Sequence, residues 1–154
     1  MKLRINRLLW HNLIAELRSR GGNYRESGAF LLGKPKTNRV CMLTYYDDIE
    51  STALDSGYVS LTGEAFAKLW QLCQDRGLEP LADIHTHGGK WTGQSLTDKT
   101  NPFVAFPGHL SLIVPYYAQK NSWSLSGVGI YEYLGNHKWK TFTPRDKRVE
   151  LVLL

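Results

Sequence analysis

Two segments of the chain carry apolar residues at helical spacing, each between a good N-cap and a glycine. The first begins near Asn6 and ends at Gly21-Gly22. The second begins at Thr62 and ends at Gly77. Both patterns predict an amphipathic helix with one buried stripe. The predicted stripes consist of Trp10, Leu13, Ile14 and Leu17 in the first helix, and of Phe66, Leu69, Trp70 and Cys73 in the second.

Short apolar runs separated by turn residues predict the strands of a sheet. The run Leu81-Ala82-Asp83-Ile84 is predicted to be a buried strand that continues into two histidines. Residues 47–60 are predicted to form an acidic loop with a short edge segment, and residues 88–109 a loop with one helical turn near Ser95. The other predicted strands cover residues 27–33 and 39–46, on either side of a turn at 34–38, and residues 110–117, 124–133 and 138–142, the last two joined by a hairpin turn at Gly135-Asn136.

Together these elements predict an α/β (α+β) fold, a curved mixed sheet flanked by helices in the order α-β-β-α-β-β-β. The 154 residues, 42% apolar and 21% charged, are typical of one soluble globular domain spanning residues 1–154. There is no apolar run near the roughly 20 residues of a membrane-spanning helix, and the N-terminus lacks the features of a signal peptide. We therefore expect an intracellular, cytoplasmic protein, with Cys41 and Cys73 as buried thiols.

The net charge of +5 permits nucleic-acid binding, but the basic residues are dispersed along the sequence. A solvated basic surface is therefore the expected reading, and nucleic acid is not the expected partner. A nucleic-acid-associated protein nevertheless stays open as an alternative interpretation. The densest basic groups are Lys34, Lys36 and Arg39, and Arg145, Lys147 and Arg148.

Candidate chemistry is concentrated after the strand at 81–84. His85 and His87 lie at i and i+2, so on a strand both imidazoles project from the same face. The glycine-rich segment 88–93 lets the chain turn back, so that Asp98 can approach the same point. Two imidazoles and a carboxylate with one open position are what a catalytic zinc site needs.

Hydrolysis at such a site also needs a group that takes and delivers the proton. The best candidate is Glu26, immediately before an apolar strand that can pair beside the histidine strand. Ser95 would lie near the metal and stabilise an oxyanion, although it can also be the N-cap of a turn that contains Asp98. Trp91 either lines a groove for an extended substrate or covers core. The other histidines, His11, His109 and His137, are expected to be surface or packing residues.

The pattern Glu26, His85-x-His87, seven residues, Ser95, two residues and Asp98 resembles the JAMM (MPN+) metalloproteases, also called the JAB domain. The order of elements around it is similar too, so the resemblance covers essentially the whole chain. It implies a cytidine-deaminase-like JAB/MPN fold, one Zn²⁺ held by His85, His87 and Asp98, Glu26 as general acid/base and Ser95 as oxyanion stabiliser. Many members have proline after the second histidine, where this chain has Gly88.

The resemblance also implies an activity. The family hydrolyses isopeptide or peptide bonds, most often after the C-terminal glycine of ubiquitin or a ubiquitin-like protein. The chain looks like the compact prokaryotic members. Some of these act with activating and conjugating enzymes in bacterial systems that conjugate ubiquitin-like proteins, or in antiphage systems. Two alternatives stay open: a peptidase that trims a sulfur-carrier protein in cysteine or cofactor biosynthesis, and a non-catalytic MPN-type scaffold that binds a partner.

Overall fold

The computed structural model of the protein describes residues 2–120 and 122–153. Its helices are α1 (Arg7–Gly21), α2 (Tyr46–Ile49), α3 (Gly63–Arg76) and α4 (Leu96–Thr100), with a short left-handed 3-10 turn at Tyr116–Ala118 and a short 3-10 turn at Pro144–Asp146. Its strands are β1 (Leu3–Asn6), β2 (Gly28–Gly33), β3 (Met42–Tyr45), β4 (Glu79–Thr86), β5 (Leu110–Val114), β6 (Gly129–Gly135), β7 (Lys138–Phe142) and β8 (Val149–Val152).

A six-stranded sheet with the order β3-β2-β4-β5-β6-β7 organises the described residues. β4 pairs in parallel with β5, and the other neighbours in this sheet are antiparallel. Because β4 lies between β2 and β5, its carboxyl end is flanked on both sides by backbone. The predicted α/β class, a mixed sheet flanked by helices, is confirmed.

The two faces of this sheet carry separate apolar cores. On one face, α1 packs Leu13 and Leu17 against a cluster that includes Ile84 of β4. On the other face, Leu69 of α3 packs with Phe30 of β2 in a second cluster. Since side chains alternate along a strand, the neighbours of Ile84 at positions 83 and 85 project towards the second face. The functional residues of β4 therefore lie on the side of the sheet that α3 covers.

Both long helices begin and end where the sequence predicts. The Asn6 side chain accepts hydrogen bonds from the backbone N–H groups of Leu8 and Leu9, at 2.9 and 3.1 Å. Thr62 caps α3 in the same way, and Gly22 and Gly77 follow the helices in the left-handed conformation, with φ of 59° and 65°. The four residues of the α1 stripe are all buried, as predicted.

Five predictions about individual elements and residues are wrong. The 47–60 loop begins with the short helix α2, β5 ends at Val114 because Pro115 and the following 3-10 turn interrupt it, and β6 begins only at Gly129. Trp70, predicted to be core, is 39% exposed because it lies at the edge of the α3 stripe and contacts the exposed ring of Phe106. Cys41 is exposed, because it precedes β3 instead of lying on its apolar face; Cys73 is buried, and both thiols are free.

The sequence did not predict β1 and β8. These strands form a separate parallel pair, in which Leu3 aligns with Val149 and Ile5 with Leu151. Leu3, Ile5 and Val149 are buried in the core under α1. Among residues 2–120 and 122–153, no helix combines the length and apolar character needed to cross a bilayer.

Candidate metal centre

Three elements bring the predicted metal ligands together at the carboxyl end of β4. His85 is the penultimate residue of this strand, and His87 follows its last residue, so both imidazoles face the same side. The chain then turns through the glycine-rich segment and re-enters at α4, whose third residue is Asp98. The ligand atoms of the three side chains lie within 4.8 Å of one another.

The distances between these atoms fit a tetrahedral metal ion. The Nε2 atoms of His85 and His87 are 3.2 Å apart. Asp98 Oδ1 lies 3.5 Å from His85 Nε2, and Asp98 Oδ2 lies 3.4 Å from His87 Nε2. A tetrahedral site with metal–ligand distances of about 2.0–2.2 Å has ligand–ligand edges of about 3.3–3.6 Å. The three residues can therefore hold a metal ion and leave one position open.

The contacts of His87 set its tautomer. Its Nδ1 lies 3.2 Å from the carbonyl oxygen of Trp91, and a carbonyl can only accept. Nδ1 therefore carries the proton, and the lone pair of Nε2 points to the site, as a metal ligand requires. The Trp91 ring stacks on the His87 ring at 5.6 Å between centroids while remaining 62% exposed. Trp91 thus lines the cavity and is not part of the core.

A capping box orients Asp98. The Ser95 hydroxyl oxygen accepts from the backbone N–H of Asp98 at 3.0 Å, and the Ser95 N–H donates to Asp98 Oδ2 at 2.9 Å. The N-cap role considered for Ser95 is confirmed. Because its oxygen only accepts in this arrangement, the hydroxyl hydrogen remains available to donate to a bound group.

The charge state of Asp98 suits a metal ligand. Burial alone would raise the pKa of this carboxyl, but the imidazoles of His85 and His87 beside it outweigh burial and hold the pKa well below its usual range. The Ser95 N–H contributes in the same direction. The carboxylate is therefore ionised at every pH where the imidazoles are neutral enough to bind a metal.

Glu26 reaches the same cavity from β2. Gly28 of this strand pairs with His85, which places the residues just before β2 beside the metal ligands. Gly28 must lack a side chain, because a Cβ there would meet the Tyr46 ring and lie 2.6 Å from the Ile84 carbonyl. Glu26 itself accepts a hydrogen bond from the Val59 N–H at 3.4 Å. Partial burial raises its pKa above the ordinary value, although the two histidines oppose this shift.

All five residues predicted from the sequence line one cavity of about 600 Å³. Tyr58 and Val59 line it on the side of Glu26, and Asn101, Pro102 and Phe103 line it beyond α4. The first two belong to the segment 47–60, and the other three belong to the segment 99–108 that follows the middle of α4. Trp139 of β7 also lines the cavity, held by a hydrogen bond from its indole N–H to the Lys99 carbonyl at 3.0 Å. The structure brings the predicted site residues together, while their catalytic roles stay predictions.

A buried polar cluster beside the site was not predicted. Asp83 accepts from the Ser111 hydroxyl at 2.7 Å and from His109 Nε2 at 2.8 Å. Asp83 and Ser111 are paired neighbours on β4 and β5, and both line the cavity. The signal in the sequence was Asp83 itself, a carboxylate in an apolar strand at i−2 from His85 and therefore on the same face. His109, expected at the surface or in packing, is buried.

A left-handed turn holds the backbone after β5 against the site. Tyr116, Tyr117 and Ala118 have φ of 57°, 50° and 63°. The Tyr117 N–H donates to the His87 carbonyl at 2.8 Å, and the Tyr117 ring covers Gly88 so closely that a Cβ there would lie 2.7 Å from it. On the other side, Arg18 Nε of α1 donates to the Ala118 carbonyl at 2.9 Å. This turn thus connects α1 to the end of the histidine strand.

Comparison with known proteins supports the fold. No known protein-family profile matches the chain. A JAB1/MPN domain protein from Archaeoglobus fulgidus is similar in structure, with 16% identity, 98% of each chain covered and a TM-score of 0.58. A protein from Desulfitobacterium hafniense has 13% identity over 97% of this chain and 92% of that one, with a TM-score of 0.64. A protein from Salinibacter ruber has 17% identity over 86% of each chain, with a TM-score of 0.53. The chain therefore has an MPN-like fold.

Proposed function

We propose that this protein is a zinc-dependent peptidase of the JAMM type, which hydrolyses the isopeptide or peptide bond after the C-terminal glycine of a ubiquitin-like protein. The observation that carries the proposal is the spacing of 3.2–3.5 Å among the ligand atoms of His85, His87 and Asp98. Glu26 and Ser95, to which the resemblance assigns the other two roles, line the same cavity. The MPN-like fold is consistent with this activity.

Each residue has a distinct task in this mechanism. A zinc ion held by the two histidines and Asp98 would activate a water and polarise the scissile carbonyl. The Glu26 carboxylate accepts the proton of the attacking water and passes it to the leaving amine. Its raised pKa favours this exchange, because burial makes the carboxylate a better proton acceptor. The Ser95 hydroxyl donates to the developing oxyanion.

The cavity walls favour an extended substrate tail. Tyr58 and Phe103 both line the cavity, so a tail of small residues such as glycine is expected to enter it more readily than bulky residues. The exposed face of Trp91 lies at the same cavity and provides an apolar contact for the tail. We expect the substrate protein and its activating and conjugating enzymes to be the partners, in the cytoplasm.

Zinc content tests the metal centre. Protein purified without chelators is expected to contain about one zinc per chain by mass spectrometry, and His87→Ala little or none. His137→Ala is the matched control, because His137 is exposed on the β6–β7 turn and outside the cavity. Zinc absent from the wild type even after reconstitution would contradict the metal centre and favour a partner-binding scaffold.

Cleavage assays test the reaction. A panel of ubiquitin-like proteins is prepared with either a linear peptide or an isopeptide-linked lysine after the terminal glycine. The wild type is expected to release the extension from at least one member, and Glu26→Gln to bind zinc normally while losing activity by about 100-fold or more. Zinc-loaded wild type that cleaves no member would refute the substrate class while leaving the metal centre intact.

A further inference from the structure

A second groove lies away from the metal centre, between the two ends of the chain. It has a volume of about 850 Å³ and is formed by the residue before β1, the start of α1, the segment 123–127, the second 3-10 turn and β8. The parallel pairing of β1 with β8 creates it, because Leu3 lies beside Val149 and donates its N–H to the Arg148 carbonyl at 2.8 Å. Residues from opposite ends of the sequence thereby become neighbours.

Four exposed cations line this groove: Lys2, Arg7, Arg145 and Lys147. Glu150 is the acidic residue among the lining residues. None of the four cations has an ion pair or side-chain hydrogen bond within residues 2–120 and 122–153. Four basic residues that are dispersed in sequence are thus neighbours around one groove, where they favour an anionic ligand.

Trp123 gives this groove an aromatic wall. One face of its indole stacks on the His11 ring, with centroids 3.7 Å apart and planes at 9°. The side chain is nevertheless 53% exposed, so the opposite face is open to a ligand. Because His11 fixes the ring, binding a planar group on the open face costs little side-chain entropy.

We propose that this groove binds single-stranded nucleic acid, with phosphates on the four cations and one base stacked on Trp123. A basic track beside an exposed aromatic ring is the arrangement that sequence-tolerant single-strand binders use. A duplex keeps its base faces inside the stack and offers none to the indole. An acidic peptide satisfies the cations but leaves the aromatic face without a partner, and a membrane surface does not enter a concave groove.

The binding of fluorescein-labelled oligo(dT) and oligo(rU) of eight nucleotides, followed by anisotropy at several salt concentrations, tests this proposal. With up to four phosphate contacts, the logarithm of the association constant is expected to fall against log salt with a slope of about −3 for the wild type. The variant Arg145→Ala/Lys147→Ala is expected to weaken binding at least tenfold and to reduce the slope by about 1.4. Trp123→Ala is expected to lose roughly tenfold in affinity with an unchanged slope, and Trp123→Phe to recover part of it.

The matched control is Lys34→Ala/Lys36→Ala, which removes the same charge from the exposed turn between β2 and β3. It is expected to change affinity less than twofold; an equal loss would show non-specific attraction and overturn the site. Absence of binding at 50 mM salt, or competition by poly-glutamate as effective as by the oligonucleotide, would also overturn it, the latter in favour of an acidic protein partner. These readouts are independent of zinc and of cleavage, so either proposal can fail alone.

Discussion

Replacing Asp83 tests whether the buried cluster beside the metal centre stabilises the fold. The Asp83 side chain is 6% exposed and accepts one hydrogen bond on each carboxylate oxygen, from Ser111 and from His109. Asp83→Ala removes both acceptors at once and leaves a buried hydroxyl and a buried imidazole without partners. Asp83→Asn keeps the shape, with its carbonyl facing His109 and its amide donating to the Ser111 oxygen.

The two contacts set the expected magnitude. A hydrogen bond to a charged acceptor contributes about 1.5–3 kcal/mol, so losing both is expected to lower the free energy of unfolding by about 3–6 kcal/mol in Asp83→Ala. Asp83→Asn is expected to cost about 1–2 kcal/mol, since one neutral bond replaces each charged one. Ser111→Ala removes one donor and is expected to cost about 1.5–3 kcal/mol.

Urea denaturation followed by circular dichroism measures all three variants, with unchanged m-values as the sign of unchanged compactness. The double variant Asp83→Ala/Ser111→Ala closes a mutant cycle, and its cost is expected to be less than the sum of the single costs. A loss below about 1 kcal/mol in Asp83→Ala, or strict additivity in the cycle, would refute the argument that these residues form one stabilising unit.

Three further predictions follow from the same packing. Because burial raises the pKa of Glu26, ionisation of this carboxyl above its unfolded-state pKa opposes folding. Metal-free Glu26→Gln is therefore expected to be more stable than wild type at pH 7. The gain is expected to vanish below about pH 4, where the carboxyl is protonated in the folded and unfolded states, and urea titrations at both pH values measure it. Gly28→Ala forces a Cβ against the Tyr46 ring and the Ile84 carbonyl and is expected to cost about 1–3 kcal/mol, whereas Gly63→Ala, in open space at the start of α3, is expected to change stability by less than 0.5 kcal/mol in the same assay. Tyr46→Phe removes a buried hydroxyl that has no hydrogen-bond partner among the described residues, and its melting temperature is expected to equal or exceed that of wild type.

Local sequence signals predicted the parts of the molecule that local interactions determine. Asn6 and Thr62 cap helices because their side chains accept from the next turn, an interaction that needs no tertiary contact. The spacing of His85 and His87 fixes a common face wherever the segment is a strand. The capping box that orients Asp98 is also local, and the Ser95 spacing indicated it in advance.

Long-range pairing accounts for most of what the sequence did not predict. β1 and β8 are four residues each, too short for a clear period, and become strands through long-range pairing with each other and, for Arg4 of β1, with Asn38 and Val40. The position of Glu26 beside the metal ligands depends on the register of β2 against β4, which no local pattern encodes. Its candidacy came from its place before an apolar strand and from the resemblance to a family motif.

The left-handed turn at residues 116–118 has a consequence for the order in which segments of the protein unfold locally. Each non-glycine residue in this conformation costs about 1–2 kcal/mol, so the turn stores roughly 3–6 kcal/mol that its contacts with α1 and with the His87 carbonyl must offset. A segment under such tension is the first to relax when either anchor loosens. We therefore expect fluctuations of α1, on the far face of the sheet, to reach the backbone of His87, and amide exchange at Tyr117 to report the rigidity of the metal centre from a position outside it.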